Sequence, residues 1–294
     1  MAETIHTVVF KAAEGGGNPC PVTLDADSLT AEQMKKLSAQ FGQESAFVCS
    51  PTRSDCDVKV RYFVPNGELE MCMHATIGTA TVLVEKGVVS KTPIVFESAF
   101  GPMNVFWEKK NGKIDVGVDQ FLPQYPDSNP TAQEVCKALG IKPDQLGDAP
   151  IMSAATSRFK LMILLKSREI LDGLNPDYEY LWSVCDKYNT TGFYPFAAED
   201  NGGETVYYAR QFPKRSGYNE DPATGVAASA LGAYLVDNGI AKSNEGWNSF
   251  TVMQGFAMGR PSMIYSDILM ENGKIVKTRV KGNAEITEDH GGAL

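Results

Sequence analysis

At 294 residues the chain is longer than one hydrophobic core usually serves, so two domains of roughly 120 to 150 residues are the default expectation. With 43% hydrophobic and 21% charged residues, the composition is that of an ordinary globular protein and excludes a disordered or fibrous one. A net charge of -9 argues against a nucleic-acid or anionic-membrane partner, because phosphate binding needs clustered lysine and arginine to displace counterions.

The N-terminal MAETIHTVVFKAAEGGG carries Glu3 and no basic stretch ahead of an apolar core, so it does not resemble a secretory signal, and a cytoplasmic location is expected. No apolar run approaches the roughly eighteen residues needed to cross a bilayer. The six cysteines include no CxxC pair, which disfavours a zinc ribbon or a disulfide framework and predicts reduced, mostly buried thiols.

Alternation near Ile5 to Phe10 predicts a first strand, followed by a flexible run at Gly15, Gly16 and Gly17 that lacks the spacing of a nucleotide loop. LTAEQMKKLSAQFG predicts a helix capped by Thr30 with Gln33, apolar at Met34, Leu37 and Phe41, and stopped by Gly42. DVKVRYFV from Asp57 alternates at period two and predicts a strand running into a turn at NGELE. MCMHATIGTATVLVEKG, from Met71, places His74, one of three histidines, at the head of a segment whose small and apolar residues cover nearly the whole helical circumference. Such a helix must be enclosed by other elements. QFLPQYPDSNP from Gln120, with its three prolines, has the character of a linker, and a helix at TAQEVCKALG follows it.

The second half repeats this plan. GETVYYARQFP predicts a strand and EDP the entry to a helix over 223–236, stopped by Asn238 and Gly239, with Asp221 as N-cap and Pro222 at N1. Arg61 and Arg210, Phe63 and Phe212, Thr76 and Thr224, Ala80 and Ala228, and Phe47 and Phe196 superpose at a nearly constant offset, which implies an internal duplication. The expected domains are residues 1–122 and 123–294, with the last strand free to return to the N-terminal half. If the halves pack about a pseudo-twofold axis, the N-termini of the two central helices point into one cleft suited to a carboxylate, with His74 and Asp221 at their mouths. Spacing alone fits equally well with a satisfied helix-terminal histidine and an ordinary N-cap aspartate. Arg61 and Arg210 are expected to be structural ion-pair partners, and His6 and His290 lie far from any ligand cluster. No metal site is expected.

GNPC at Gly17, QESAFV at Gln43, RYFVP with CMHAT, and EDPATG at Glu220 are similar to the phenazine-biosynthesis isomerase (PhzF-like) family, related to diaminopimelate epimerase and proline racemase. The resemblance runs in order along almost the whole chain. It implies an α+β fold of two pseudo-symmetric domains, each a mixed sheet wrapped around a central helix, and a homodimer. It also implies cofactor-free proton transfer on a small carboxylate substrate. It makes Glu44 the acid/base residue, His74 and Asp221 its catalytic partners, and Asn18, Cys72, Met73, Gly225 and Val226 the substrate-binding set.

From the residues themselves, Glu44 follows the Thr30 helix and precedes an apolar strand, which suits either a carboxyl in an apolar cleft, its pKa raised toward the range of a proton shuttle, or a solvated loop. The overlay puts no carboxylate opposite it near Gly192, so the base is one-sided. Cys72 stands where the racemases carry their first catalytic cysteine, and the second half has no matching thiol, so two-thiol epimerisation is disfavoured against isomerisation by one carboxyl. Met73 replaces the family's usual glycine, Val226 a small polar residue and Gln43 a serine, so a substrate other than dihydro-hydroxyanthranilate is expected. An amino-acid epimerase and a non-catalytic small-acid binding protein are the alternatives.

Overall fold

The computed structural model describes residues 2–287, so His290 lies outside the described residues. Its contacts divide the described residues into two units: 2–11, 17–119 and 281–287 form the first, and 12–16 with 120–280 form the second.

The first unit opens with β1 (Glu3–Val9) and β2 (Asn18–Leu24), joined antiparallel in the register Val9 with Asn18. Helix α1 (Ala31–Phe41) then crosses over to β3 (Ser45–Cys49), which lies parallel to β2. The predicted capping box is present: Thr30 Oγ1 accepts from the Gln33 N–H, Gln33 Oε1 accepts from the Thr30 N–H, and Gly42 closes the helix in the left-handed region. Met34 is buried against Ala26, Phe47 and Phe63, the two phenyl rings meeting edge to face at 5.6 Å.

Strand β4 (Val58–Val64) follows, and the NGELE stretch is more than a turn, because Gly67–Leu69 form a short strand β5 paired back onto β4. Helix α2 (Met73–Glu85) connects β4 to the parallel β6 (Ile94–Ser98), after which β7 (Gly101–Lys110) and β8 (Lys113–Gln120) add antiparallel. The final strand, β16 (Lys274–Ile286), pairs with both β8 and β1, so the sheet of this unit closes on itself.

Closure is what α2 requires. All of residues 73–83 are buried, on every side of the helix, and burying each Ile, Val or Leu side chain contributes roughly 1.5–3 kcal/mol. Gly78 permits its close seating: a Cβ there would stand 2.8 Å from Thr7 Oγ1 on β1. Gly16 and Gly17, expected to be flexible, are instead tightly packed. A Cβ on Gly16 would meet the Pro261 carbonyl oxygen at 2.0 Å, and one on Gly17, which has a φ of 84°, would meet Val8 Cγ1 at 2.5 Å.

In the second unit α3 (Ala132–Leu139), β9 (Met152–Ala154), β10 (Lys160–Leu164), α4 (Arg168–Asp172), α5 (Tyr178–Lys187) and β11 (Gly192–Asn201) come first. The three helices bury Val135, Leu139, Leu171, Leu181 and Val184 against Leu161, Ile163 and Phe193 of the parallel pair β10 and β11. The strand predicted over GETVYYARQFP is interrupted. Tyr207 and its neighbours lie in β12 (Glu204–Ala209), and Phe212–Pro213 form a separate short strand β13 on β11.

Helix α6 (Gly225–Asp237) links β12 to the parallel β14 (Gly246–Gln254), with β15 (Ser262–Glu271) antiparallel beyond. The sequence β12, α6, β14 is the same strand–helix–strand crossover as β4, α2, β6. Like α2, α6 is thirteen residues long and buried over most of its length. Its start differs from expectation. Thr224 is the N-cap, and Asp221 lies three residues earlier in a turn bridged to Gln211, because its carboxylate accepts from the Thr224 hydroxyl instead of capping the helix itself. Among the described residues no helix is long and apolar enough to cross a membrane.

The tightest approach to α6 is at Gly232, where a Cβ would stand 2.1 Å from Ser266 Oγ and 2.9 Å from Ser266 Cβ on β15. Gly232→Ala is expected to destabilise the protein by about 1–3 kcal/mol through overpacking, measured as a lower urea midpoint at unchanged slope. A wild-type midpoint would contradict this packing.

Candidate active site

Cys72, in extended conformation, is the N-cap of α2, and Met73 and His74 are the first two helical residues. No side chain caps the helix, so its first turn presents backbone donors and the positive end of the helix dipole. Glu44 is the residue before β3, held there by the left-handed Gly42 cap and by Ser45 starting a fully buried strand segment. Strands and helix thus bring together three side chains that are distant in sequence.

Cys72 Sγ lies 3.0 Å from Glu44 Oε2, to which it donates, and 3.3 Å from His74 Nδ1. His74 Nδ1 is 3.7 Å from the same carboxylate oxygen. The His74 side chain is only 6% exposed, whereas Glu44 keeps 23% of its side chain accessible. Glu44 is therefore the member of the trio that an entering molecule meets.

A single thiol proton decides the polarity of this cluster. Burial pushes the Cys72 thiol well above the ordinary cysteine range, and the negative charge of Glu44 and the neighbouring Cys20 push it further. The Ala75 N–H acts in the opposite direction and is the weakest of these influences. The proton therefore stays on sulfur and is donated to the carboxylate, with His74 Nδ1 in contact with the same sulfur. Behind them Thr76 Oγ1 donates to the Cys72 carbonyl at 2.9 Å and meets Tyr62 Oη at 2.7 Å, which fixes the start of the helix.

Of the other residues the sequence singled out, Asn18 begins β2 in the first unit and Met73 is buried in the first turn of α2. Asp221, Gly225 and Val226 belong to the second unit, at the entry to α6, with Gly225 buried and Val226 partly exposed in that helix's first turn. The entry is organised by Gln254, which sequence reasoning did not single out. Its Nε2 donates to the Asp221 carbonyl at 2.7 Å and to Thr224 Oγ1 at 3.0 Å, while its Oε1 accepts from Tyr194 Oη at 2.9 Å and from the Thr224 N–H at 3.2 Å. The only signal was a glutamine directly after the apolar pair Val252 and Met253.

Arg210 and Glu220 brace the same entry. They form a bidentate pair at 2.7 and 2.9 Å with both side chains 10% exposed, and Arg210 Nη1 also donates to the carbonyls of Leu171, Asp172 and Leu174. Arg61 makes its own bidentate pair with Glu68 on β5, nearer the surface. Both arginines are ion-paired, as expected.

The expectation that no metal site exists meets a different arrangement. Glu44, Cys72 and His74 each offer a ligand atom, and these atoms all lie within 4.8 Å of one another. No short ligand motif announces this, because the glutamate is 28 residues from the cysteine. Arg210→Ala is expected to lower stability by about 3–5 kcal/mol, because it strands Glu220 and three carbonyls in a buried setting. Denaturant titration checks this, and a loss below about 1 kcal/mol, the value of a surface pair, would contradict it.

Comparison with known proteins was consistent along the chain. The family model for phenazine biosynthesis-like proteins matches residues 8–290. An uncharacterized isomerase of Escherichia coli K12, YddE, is 30% identical over 288 residues, covering 97% of this chain and 96% of the relative. The trans-2,3-dihydro-3-hydroxyanthranilate isomerase of Pseudomonas chlororaphis is 29% identical over 277 residues, 93% of each. Among solved structures, a PhzF-family protein of Bacillus anthracis superposes with a TM-score of 0.88 at 25% identity, covering 97% of this chain and 96% of that one. A probable proline racemase of Agrobacterium radiobacter shares the fold alone, at a TM-score of 0.63 and 12% identity over 98% of this chain and 91% of that one. With a match of this extent, the chain belongs to the phenazine biosynthesis-like (PhzC–PhzF) family.

Proposed function

We propose that this member of an isomerase family moves a proton between two carbons of a small conjugated carboxylic or amino acid, using Glu44 as the one base and acid and no cofactor. The observation that carries the reading is the hydrogen bond from the Cys72 thiol to Glu44 Oε2 at 3.0 Å. A thiol whose pKa is pushed upward and whose proton already points at a carboxylate is a poor base at neutral pH, whereas the carboxylate it supports is available.

In the proposed step Glu44 takes a proton from an sp³ carbon next to a conjugated system. The electron pair spreads over the substrate's π system, and the same carboxyl returns the proton to another carbon on the same face. The negative charge that develops is stabilised by the backbone donors and dipole at the first turn of α2 and by His74. Cys72 keeps Glu44 oriented between the two transfers, as a donor that follows the charge on the carboxylate. The Pseudomonas chlororaphis relative is named as an isomerase of trans-2,3-dihydro-3-hydroxyanthranilate, a cyclic amino acid, which supports this class of substrate. Met73 stands in the first turn of α2 where the family resemblance implies glycine, so the reading extends to the class of conjugated cyclic acids and not to that substrate itself. Asp221 is proposed as a further participant, and its backbone carbonyl, held by Gln254, fixes its place ahead of α6.

The test is proton exchange in D2O followed by NMR over a panel of cyclic and conjugated amino and hydroxy acids. Glu44→Gln is expected to lower exchange by about 10²–10⁴-fold, the usual contribution of a general acid/base, while Cys72→Ala keeps it within about tenfold of wild type. Equal losses in the two variants would favour a thiol-based epimerase, and undiminished exchange in Glu44→Gln would remove its assigned role. Asp221→Asn is expected to reduce exchange without abolishing it.

A further inference from the structure

We propose that Glu44, Cys72 and His74 form a binding site for zinc, and that zinc bound there stops proton transfer. The binding itself is independent of the function proposed above, and only the inhibition rests on it.

The geometry is that of a three-ligand zinc site before the ion arrives. Zinc–ligand lengths of about 2.3 Å to sulfur and about 2.0–2.2 Å to imidazole nitrogen and carboxylate oxygen put tetrahedral ligand atoms roughly 3.3–3.6 Å apart. Here the sulfur-to-oxygen, sulfur-to-nitrogen and nitrogen-to-oxygen separations are 3.0, 3.3 and 3.7 Å. Small side-chain adjustments close the difference. Cys72 and His74 are fixed by entering the same buried helix, and the ligand nitrogen is the near one, since Nε2 stands farther from the sulfur at 3.9 Å.

The donor set selects the ion. One thiolate, one imidazole and one carboxylate suit zinc and its borderline neighbours, and disfavour magnesium and calcium, which need several oxygen ligands. The positive end of α2 opposes any cation, but the thiolate and the carboxylate together cancel a double charge. Binding releases the thiol proton to solvent as the sulfur–zinc bond forms, with no change of oxidation state. Glu44, with 23% of its side chain accessible, is the route by which the ion reaches the buried pair.

The consequence for catalysis is direct. Zinc takes the Glu44 lone pair that would accept the substrate proton and removes the thiol proton that supports it. Of four tetrahedral positions three are filled by protein, leaving one for water or for a substrate carboxylate, which would then be held away from a working base.

Cobalt(II) serves as the optical stand-in for zinc, added to the full-length, reduced, chelator-treated protein. One equivalent is expected to produce a thiolate-to-cobalt charge-transfer absorption that one equivalent of zinc abolishes. Cys72→Ser is expected to lose the band, and His74→Ala and Glu44→Gln to weaken affinity about tenfold or more, while Cys49→Ser and His6→Gln leave it unchanged. Circular dichroism identifies any variant that fails to fold, and the three ligands lie on two separate segments, so a folded variant at either one decides the matter. No band in the native protein, or a band retained in Cys72→Ser, overturns the site. Zinc is further expected to remove at least nine-tenths of the D2O exchange, restored by chelator, and exchange that persists with zinc bound overturns the inhibition. If metal-free protein exchanges no acid while the cobalt band appears, it is the functional reading that fails and the zinc site that stands.

Discussion

The hydrogen bond between the Cys72 thiol and the Glu44 carboxylate depends on a larger constraint, the burial of α2 on every side from Met73 to Leu83. A helix of small and aliphatic residues on all sides cannot rest on a surface, and in the first unit it is enclosed by a sheet that closes through β16. Enclosure removes water from the helix mouth, and that loss of solvent is the largest reason the Cys72 proton stays on sulfur. Packing, protonation state and the availability of Glu44 are one chain of cause. The same apolar helix that stabilises the unit sets the chemistry at its N-terminus.

The two buried helices solve the problem of their own entry differently. At α2 the N-cap residue is the thiol that donates to Glu44, and the stabilising contacts run from Thr76 and Tyr62 behind it. At α6 a glutamine from the end of β14 gathers the Asp221 carbonyl and the Thr224 hydroxyl and backbone N–H, while Arg210 and Glu220 hold the preceding turn. One entry keeps a carboxylate partly accessible beside a thiol, and the other commits its polar atoms to structure.

Much of this was legible in the sequence because it rests on local rules. The Thr30 and Gln33 capping box, the Gly42 stop and the small and apolar residues around α2 are each fixed by a few adjacent residues, and they stand as expected. The start of α6 was misplaced because Asp221-Pro222 satisfies the local preference for an N-cap, while the bond to the Thr224 hydroxyl that competes with it forms only in the folded turn. Gln254 and the Glu44, Cys72 and His74 trio were illegible as units for a related reason. Their members are separated in sequence, and only strand pairing and helix placement bring them within hydrogen-bonding distance. Glycines 16 and 17 show the same limit, since nothing in three consecutive glycines distinguishes a loose loop from one pressed against the Pro261 carbonyl or Val8.

The central claim is that Glu44 is a carboxylate supported by a protonated Cys72, and the most direct measurement is the pH dependence of Cys72 alkylation, followed by peptide mass spectrometry in wild type and Glu44→Gln. The account predicts that wild-type Cys72 becomes reactive only well above the range of a free thiol, about pH 8.5. In Glu44→Gln the profile should move to lower pH, because a negative neighbour is gone, yet stay above the free-thiol value because burial remains. A wild-type Cys72 that titrates at or below the free-thiol value, or a profile indifferent to Glu44, would contradict it.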